Sequence, residues 1–460
     1  MAEPLMTRQL DLFANGADQP TNGEFRDPAF ADNKTLPIHR WVPWIAGYSA
    51  AFVDDVLATY APRGFVKGSP GVVLDPFAGV GTTLVQAMLR GYHTVGFEIN
   101  PYAALAAHVK VHAPFLDLSR LKSLNEALEA SPCEWQSQAH PVQTVAPDGF
   151  RSRIPFFSPA VEQQVFRILD FINAIEAEAL RDLFRVAFGS VMVRFSNYTY
   201  EPSLSTRPGA GKPLIENEDA VAVLVEKLRQ MTRDIEWAQA QVRPPLHVSP
   251  SHRVFNANFM TAAETHLADL PVDLMITSPP YMNNYHYVRN TRPQLYWLAL
   301  MNASSALKQL EEENFGKFWQ NVRTAIPLEP RFAHRTLNLL IQQLREIRAE
   351  KGPYGGPGWA NYVTAYFNDA HRFFRVLKKV LKPGGVGVIV VGNSIIQGIE
   401  FRLDDFLAEL AENEGLIAEG VRPIRHKRVG ASITQSSVRR GERNGATLYE
   451  SAVMVRKSCG

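Results

Sequence analysis

The sequence predicts an α/β protein built on a doubly wound, largely parallel sheet that carries a large helical insertion. Three observations lead there. Residues 72–75, Val-Val-Leu-Asp, are a short apolar run ending in an acid. The turn Pro76-Phe77-Ala78-Gly79-Val80-Gly81 follows, then an apolar helical pattern through Leu84, Ala87, Met88 and Leu89. Strand, glycine turn and helix in this order let backbone pass close to a ligand and offer it free N–H groups. A second apolar run, residues 93–97, ends on Glu98, and an acid at the end of a second strand suits a ribose diol. Far downstream, apolar residues 274–276 run into Ser278-Pro279-Pro280-Tyr281. Two prolines cannot continue a central strand, because each fixes its own φ and lacks an N–H. That turn is therefore held just past a strand's carboxyl end, where open α/β sheets bind ligands.

The remaining elements follow in order. Residues 1–33 are polar, rich in Asp, Asn, Gly and Pro, and read as a flexible leader. From 36 the chain turns aromatic, and 52–60 has helical spacing. Residues 34–110 form the first part of the core, with Thr82 or Thr83 expected to cap the helix after the glycine turn. Residues 111–250 are the insertion, with helices expected over 161–175, 183–193 and 220–242. An insertion of this length is normally functional or a subdomain. The core returns over 251–460, with the strand at 274–276 and a helix through Leu295, Trp297, Leu298 and Leu300. A helical excursion over 302–360 ends in the Gly/Pro-rich stretch 352–358, which reads either as a closing flap or as an exposed linker. A helix over 365–381 then turns through Lys382-Pro-Gly-Gly385 into a strand over 386–391, with Gly392-Asn393-Ser394 at its ligand end. A helix over 406–410 and a closing strand over 446–455 complete the fold.

A chain of 460 residues, 46% hydrophobic and 20% charged, is globular, with room for two or three domains or one decorated domain. The net charge is only +2, so any nucleic-acid surface must come from local clustering. Between 421 and 457 nine basic residues (Arg422, Arg425, Lys427, Arg428, Arg439, Arg440, Arg443, Arg456, Lys457) face two acids, Glu442 and Glu450. Basic polar loops suit phosphate contacts with some base readout by Arg and Gln; an ordinary solvated loop is the alternative. Residues 194–212, polar and aromatic, are a second candidate. Tyr285, His286, Tyr287 and Arg289 lie just beyond the proline turn and suit a base or its phosphate, although His286 equally suits simple packing. The start of the chain lacks a signal-peptide pattern, no apolar run reaches the length of a membrane span, and no metal site is expected. The expected location is cytoplasmic. Two cysteines, Cys133 and Cys459, exclude a disulfide framework. Cys133 has no apolar strand before it, which counts against thiolate attack on a pyrimidine ring carbon.

Two motifs carry a resemblance. Asp75-Pro-Phe-Ala-Gly-Val-Gly81 resembles motif I of S-adenosylmethionine-dependent methyltransferases, with Glu98 as the motif II acid. It is neither a Walker loop nor a G-x-G-x-x-G dinucleotide turn. Ser278-Pro-Pro-Tyr281 resembles motif IV of the amino-methyltransferases. The block over 36–62 resembles motif X, which packs over the methionine end of the cofactor. Residues 253–259 resemble motif III, with Asn258 where an acid usually approaches the cofactor's adenine amine; its carbonyl is an acceptor too. The chain is thus similar to the DNA amino-methyltransferases of bacterial modification systems over residues 36–110 and 250–457.

The resemblance implies a Rossmann-like methyltransferase sheet. It implies that S-adenosylmethionine is held by Asp75, Pro76, Phe77, Gly79, Gly81, Thr82, Asn258 and Trp41, with Glu98 on the ribose. It implies a catalytic turn made of Ser278, Pro279, Pro280 and Tyr281. Duplex DNA would be met by Tyr285, Arg289, Arg425, Lys427, Arg428, Arg439 and Arg440. A cognate restriction endonuclease would be a separate chain, since no nuclease motif is visible. In this family Ser at the first turn position goes mainly with cytosine N4, and Asp or Asn with adenine N6. The expectation is therefore cytosine N4, with adenine N6 or an RNA base as alternatives. The cofactor turn precedes the catalytic turn, whereas many cytosine-N4 enzymes have the reverse order.

Overall fold

A computed structural model describes residues 25–26, 29–44, 47–61, 70–137, 141–201, 203–242, 251–282, 287–301, 303–426 and 448–459. Along the chain the strands are β1 (Val72–Asp75), β2 (His93–Phe97), β3 (Tyr198–Tyr200), β4 (Leu204–Thr206), β5 (His252–Phe255), β6 (Val272–Thr277), β7 (Leu381–Gly392), β8 (Ser394–Ile396), β9 (Ile399–Phe401), β10 (Ile417–His426) and β11 (Tyr449–Arg456). The helices before β6 are α1 (Ala50–Tyr60), α2 (Thr82–Leu89), α3 (Pro101–His112), α4 (Leu118–Ser137), α5 (Pro159–Asn173), α6 (Glu178–Val191), α7 (Ala220–Gln241) and α8 (Phe259–His266). Those after it are α9 (Tyr287–Trp297), α10 (Ser304–Glu313), α11 (Trp319–Val322), α12 (Arg335–Glu346), α13 (Gly356–Val380) and α14 (Leu403–Asn413).

The central sheet has the order β10-β11-β7-β6-β1-β2-β5. Strands β7, β6, β1, β2 and β5 are parallel; β11 runs antiparallel to both β7 and β10. Every residue of β1 is buried, as are all but one of β6, as expected where helices cover both faces of a parallel sheet. The chain winds outward from β1 through β2 to β5, then returns to lay β6 against the other side of β1. The sheet is thus doubly wound and Rossmann-like, with its topological switch between β1 and β6. Ligands bind in the crevice at such a switch, and both sequence motifs open there.

The insertion supplies α4 to α7 and the β3–β4 hairpin. Its helices share one apolar core with α2 and α3, in which Leu84, Ala106 and Ala107 pack in the same cluster as Ile168, Phe184 and Leu228.

Four local expectations are corrected. Neither Thr82 nor Thr83 caps α2: the N-cap is Gly81 at φ +86°, and both threonines lie inside the helix. The stretch 352–358 is neither flap nor loose linker, because α13 already begins at Gly356. A Cβ at Gly355, Gly356 or Gly358 would stand 2.1, 1.9 or 2.0 Å from the carbonyl oxygens of Arg348, Leu344 and Pro353. These glycines are there for close packing. Lys382-Pro-Gly-Gly385 is not a turn before the strand but part of β7, absorbed by an irregularity opposite Val272 and Leu274. Most of the expected leader lies outside the described residues, but from Arg26 the chain is tied down. Arg26 pairs with Asp55 at 2.7 Å, and the buried Asn33 donates to the Tyr48 carbonyl while accepting from the Ala50 N–H.

Candidate active site

The site is built from the ends of three parallel strands. Asp75 ends β1, is 1% exposed, and serves as a hub. Its Oδ1 accepts from the Phe77 N–H at 3.1 Å and from Thr277 Oγ1 at 2.6 Å; its Oδ2 accepts from the Tyr48 hydroxyl at 3.0 Å. Burial raises the Asp75 pKa, and these donations oppose the rise. Thr277 is the residue before the serine-proline turn, so this carboxyl ties the glycine turn to that turn across the switch point. Tyr48 also bonds to Thr83, and burial together with Asp75 raises its phenol well above the ordinary range. Asp75 is not among the residues lining the crevice and shapes the site through these bonds.

The cavity above is lined by Trp44, Tyr48, Pro76, Phe77, Gly79, Thr82, Glu98, Asn258, Phe259, Ser278, Pro280 and Phe315, among others. Gly79 has φ +50°, and a Cβ there would come within 3.1 Å of Trp44 Nε1. A side chain at this position would fill the cradle. Gly81 does not reach the cavity; a Cβ there would meet Ala107 Cβ at 3.0 Å, so this glycine lets α2 pack on α3.

Glu98 follows β2 and accepts from the Gly79 N–H at 2.9 Å and the Asn100 N–H at 2.8 Å. Burial pushes its carboxyl up to about 7, outweighing both donations. Asn258 caps α8: its Oδ1 accepts from the Met260 N–H at 2.9 Å, and its Nδ2 donates to the Glu313 carbonyl at 3.1 Å. The amide expected to serve as an acceptor for a ligand is thus already engaged as a helix cap, with one lone pair of its oxygen in reserve.

The Ser278-Pro279-Pro280-Tyr281 turn follows β6. Ser278 and Pro280 face the cavity. The half-buried Tyr281 packs against the apolar core on the β7 side. Its hydroxyl donates to Glu450 Oε1 at 3.1 Å, and Ser278 Oγ stands 3.5 Å from that hydroxyl.

Trp41 does not face the cavity. It is fully buried and donates from Nε1 to Asp234 Oδ2 at 2.9 Å, on α7 of the insertion. Three residues later, Trp44 is the aromatic that lines the site. Arg289 is exposed on α9. Arg425 lies near the end of β10, its Nη1 3.8 Å from Glu450. Tyr285, Lys427, Arg428, Arg439 and Arg440 lie outside the described residues.

Sequence reasoning missed Tyr48, Thr277, Phe315 and Glu450 as parts of the site. Tyr48 and Trp44 lie in the aromatic block before α1 and had a signal in their composition. Phe315 and Glu450 had none, since tertiary packing alone brings them to the crevice. Among the described residues no group of His, Cys, Asp or Glu is placed to hold a metal ion, and no helix is long and apolar enough to cross a membrane.

Comparison with known proteins agrees with this geometry. A family model described as DNA methylase matches residues 65–108, the stretch that holds the glycine turn and Glu98. The chain is 23% identical to the Type II methyltransferase M.BsoBI of Geobacillus stearothermophilus, covering 84% of this chain and 80% of that protein. It is 23% identical to the Type II methyltransferase M.AvaI of Nostoc sp., covering 85% and 82%. A shorter match, 35% identical over 77 residues, covers 17% of this chain and 14% of the Type II methyltransferase M.MjaII of Methanocaldococcus jannaschii. Among solved structures, the rRNA methyltransferase aviRa from Streptomyces viridochromogenes covers 94% of each chain at 11% identity and a TM-score of 0.31. A likeness that low adds nothing to the strand order, which carries the fold.

Proposed function

We propose that this chain, an S-adenosylmethionine-dependent DNA amino-methyltransferase, methylates the exocyclic N4 of cytosine in duplex DNA as part of a restriction-modification or defence system. One observation carries the reading: the glycine turn after β1, Glu98 after β2 and the Ser-Pro-Pro-Tyr turn after β6 open onto a single crevice. The relatives' names as Type II methyltransferases support the biological setting. The choice of cytosine N4 over adenine N6 rests on Ser278 alone.

The crevice fits S-adenosylmethionine. Glu98 suits the ribose diol, Gly79 leaves room for close backbone approach beside Trp44, and Phe77, Phe259 and Phe315 offer an apolar bed for adenine. When bound, this cofactor supplies an electrophilic methyl group. The chain's own residues do the rest. An exocyclic amine inside a duplex is buried in the stack, so the base must be flipped out. Tyr281 stacks on it. Ser278 Oγ and the Pro279 carbonyl accept hydrogen bonds from the amine and draw its lone pair out of ring conjugation. The same acceptors stabilise the positive charge that develops as nitrogen attacks. Arg289, Arg425 and the basic residues Lys427, Arg428, Arg439 and Arg440 hold the DNA backbone.

Nucleoside mass spectrometry of plasmid DNA from cells expressing the protein tests this, with a Ser278→Ala/Tyr281→Ala control. N4-methylcytosine present only with the intact protein is the expected result. N6-methyladenine instead would overturn the base assignment and leave the mechanism standing. Neither mark would overturn the DNA reading and direct attention to RNA.

A further inference from the structure

We propose that Glu450 is a positioning residue for methyl transfer: its carboxylate holds the Tyr281 phenol so that the ring is presented to the extruded base. The proposal rests on the role given to Tyr281 above. Its basis is a register row across the carboxyl edge of the sheet. Gly392 of β7 pairs with Glu450 of β11, and Glu450 pairs with Arg425 of β10. Tyr281 lies over the glycine end of that row. A Cβ at Gly392 would sit 3.5 Å from Tyr281 Cε2 and 3.6 Å from Glu450 Cγ, so both side chains lie against this one glycine.

Glu450 is 7% exposed, and beyond the buried Ser451 the strand is apolar from Ala452 to Val455. Burying a carboxylate in such a strand costs free energy unless it is paired and hydrogen-bonded. Its partners are the Tyr281 hydroxyl at 3.1 Å and Arg425 at 3.8 Å. A hydrogen bond in so enclosed a place is electrostatically stronger than the same bond in water. With the packing of the half-buried ring against the core, it fixes the orientation of the Tyr281 ring. Stacking needs that ring in one plane, at the distance where Ser278 meets the amine. Misplacing a reacting geometry by about 1 Å costs on the order of 10²-fold in rate.

The experiment is single-turnover transfer of labelled methyl groups to unmethylated plasmid DNA, with thermal melting and S-adenosylhomocysteine binding measured for each variant. Glu450→Ala is expected to slow transfer on the order of 10²-fold while cofactor affinity stays unchanged. Glu450→Gln keeps an acceptor oxygen and recovers most of the rate. Tyr281→Phe loses a similar amount, and adding Glu450→Ala to it costs nothing more, as expected of two partners in one interaction. Full speed in Glu450→Ala, or losses that multiply in the double variant, would overturn the proposal. Should Glu450→Ala not fold, Tyr281→Phe decides alone, and full speed without the phenol overturns it. An unsubstituted protein that methylates no DNA would overturn the reading of the site, and the role of Glu450 with it.

Discussion

Glu98 shows how one residue couples site and solvent. Its carboxyl stands near 7 against an ordinary 4.5, chiefly through burial. A raised carboxyl keeps its proton in the folded state at pH values where the unfolded chain has lost it. Glu98 therefore subtracts stability as pH rises from 4.5 towards 7. With Glu98 on the ribose as proposed, cofactor binding runs the other way, because two ribose hydroxyls are better accepted by the ionised form. Calorimetry with S-adenosylhomocysteine should show affinity rising between pH 6 and pH 8, by up to about tenfold from this group. Glu98→Gln should bind weakly and lose that part of the pH dependence; an unchanged profile would remove Glu98 from the ribose. Tyr281 gives a second prediction at this scale. Its ring is at the catalytic turn and away from the glycine cradle, so Tyr281→Ala should lose most turnover and keep cofactor affinity. Unchanged turnover would refute the stacking role.

Elements differ in how far local sequence determines them. β1, α2 and β2 were legible almost to the residue because strand, turn and helix signals coincide within a short stretch. Of the insertion's helices, α5, α6 and α7 were legible because their apolar faces repeat at helical spacing, whereas α4 was not read as a separate helix. The start of α13 was not, because Gly352-Pro-Tyr-Gly-Gly-Pro-Gly358 carries every local sign of a loop. Its conformation is set by what lies beside it, the carbonyls of Leu344, Arg348 and Pro353. The glycines there are needed for different reasons. Gly356→Ala puts a methyl 1.9 Å from a backbone oxygen and should destabilise on the order of 1–3 kcal/mol through overpacking. Gly352 has open space around it but φ +52° and ψ −125°, so Gly352→Ala should cost about 1–3 kcal/mol through backbone strain alone. Urea denaturation of Gly356→Ala checks the packing; an unchanged midpoint would mean that the packing at 356 relaxes freely. Glu450 marks the same limit within the site. It looked like one of two acids in a basic stretch, and only the pairing of β11 with β7 places it beside Tyr281.

At the scale of the whole molecule, the insertion is bound to the sheet by the short segment before α1. Asp234 on α7 is 1% exposed and accepts from the Ile38 N–H at 2.9 Å, from Trp41 Nε1 at 2.9 Å and from the Arg40 guanidinium. Next to it, His39 bonds Gln86 of α2 at 3.2 Å, and Lys110 of α3 donates to the His39 carbonyl at 3.3 Å. Residues 38–41 thus join α7 to the two helices that flank β1 and β2. A few residues on, the same segment carries Trp44 and Tyr48 into the cofactor crevice. Asp234→Ala leaves a buried N–H, an indole and a guanidinium without their acceptor. Breaking a buried pair in this way costs about 3–5 kcal/mol. If insertion and sheet fold as one unit, the variant should melt earlier in a single transition and bind S-adenosylhomocysteine more weakly, although it touches no ligand. A subdomain that folds independently predicts otherwise: an early transition confined to the insertion, with the cofactor site intact. Calorimetric melting with and without S-adenosylhomocysteine separates the two outcomes, and unimpaired cofactor binding in Asp234→Ala would show that the insertion does not support the site.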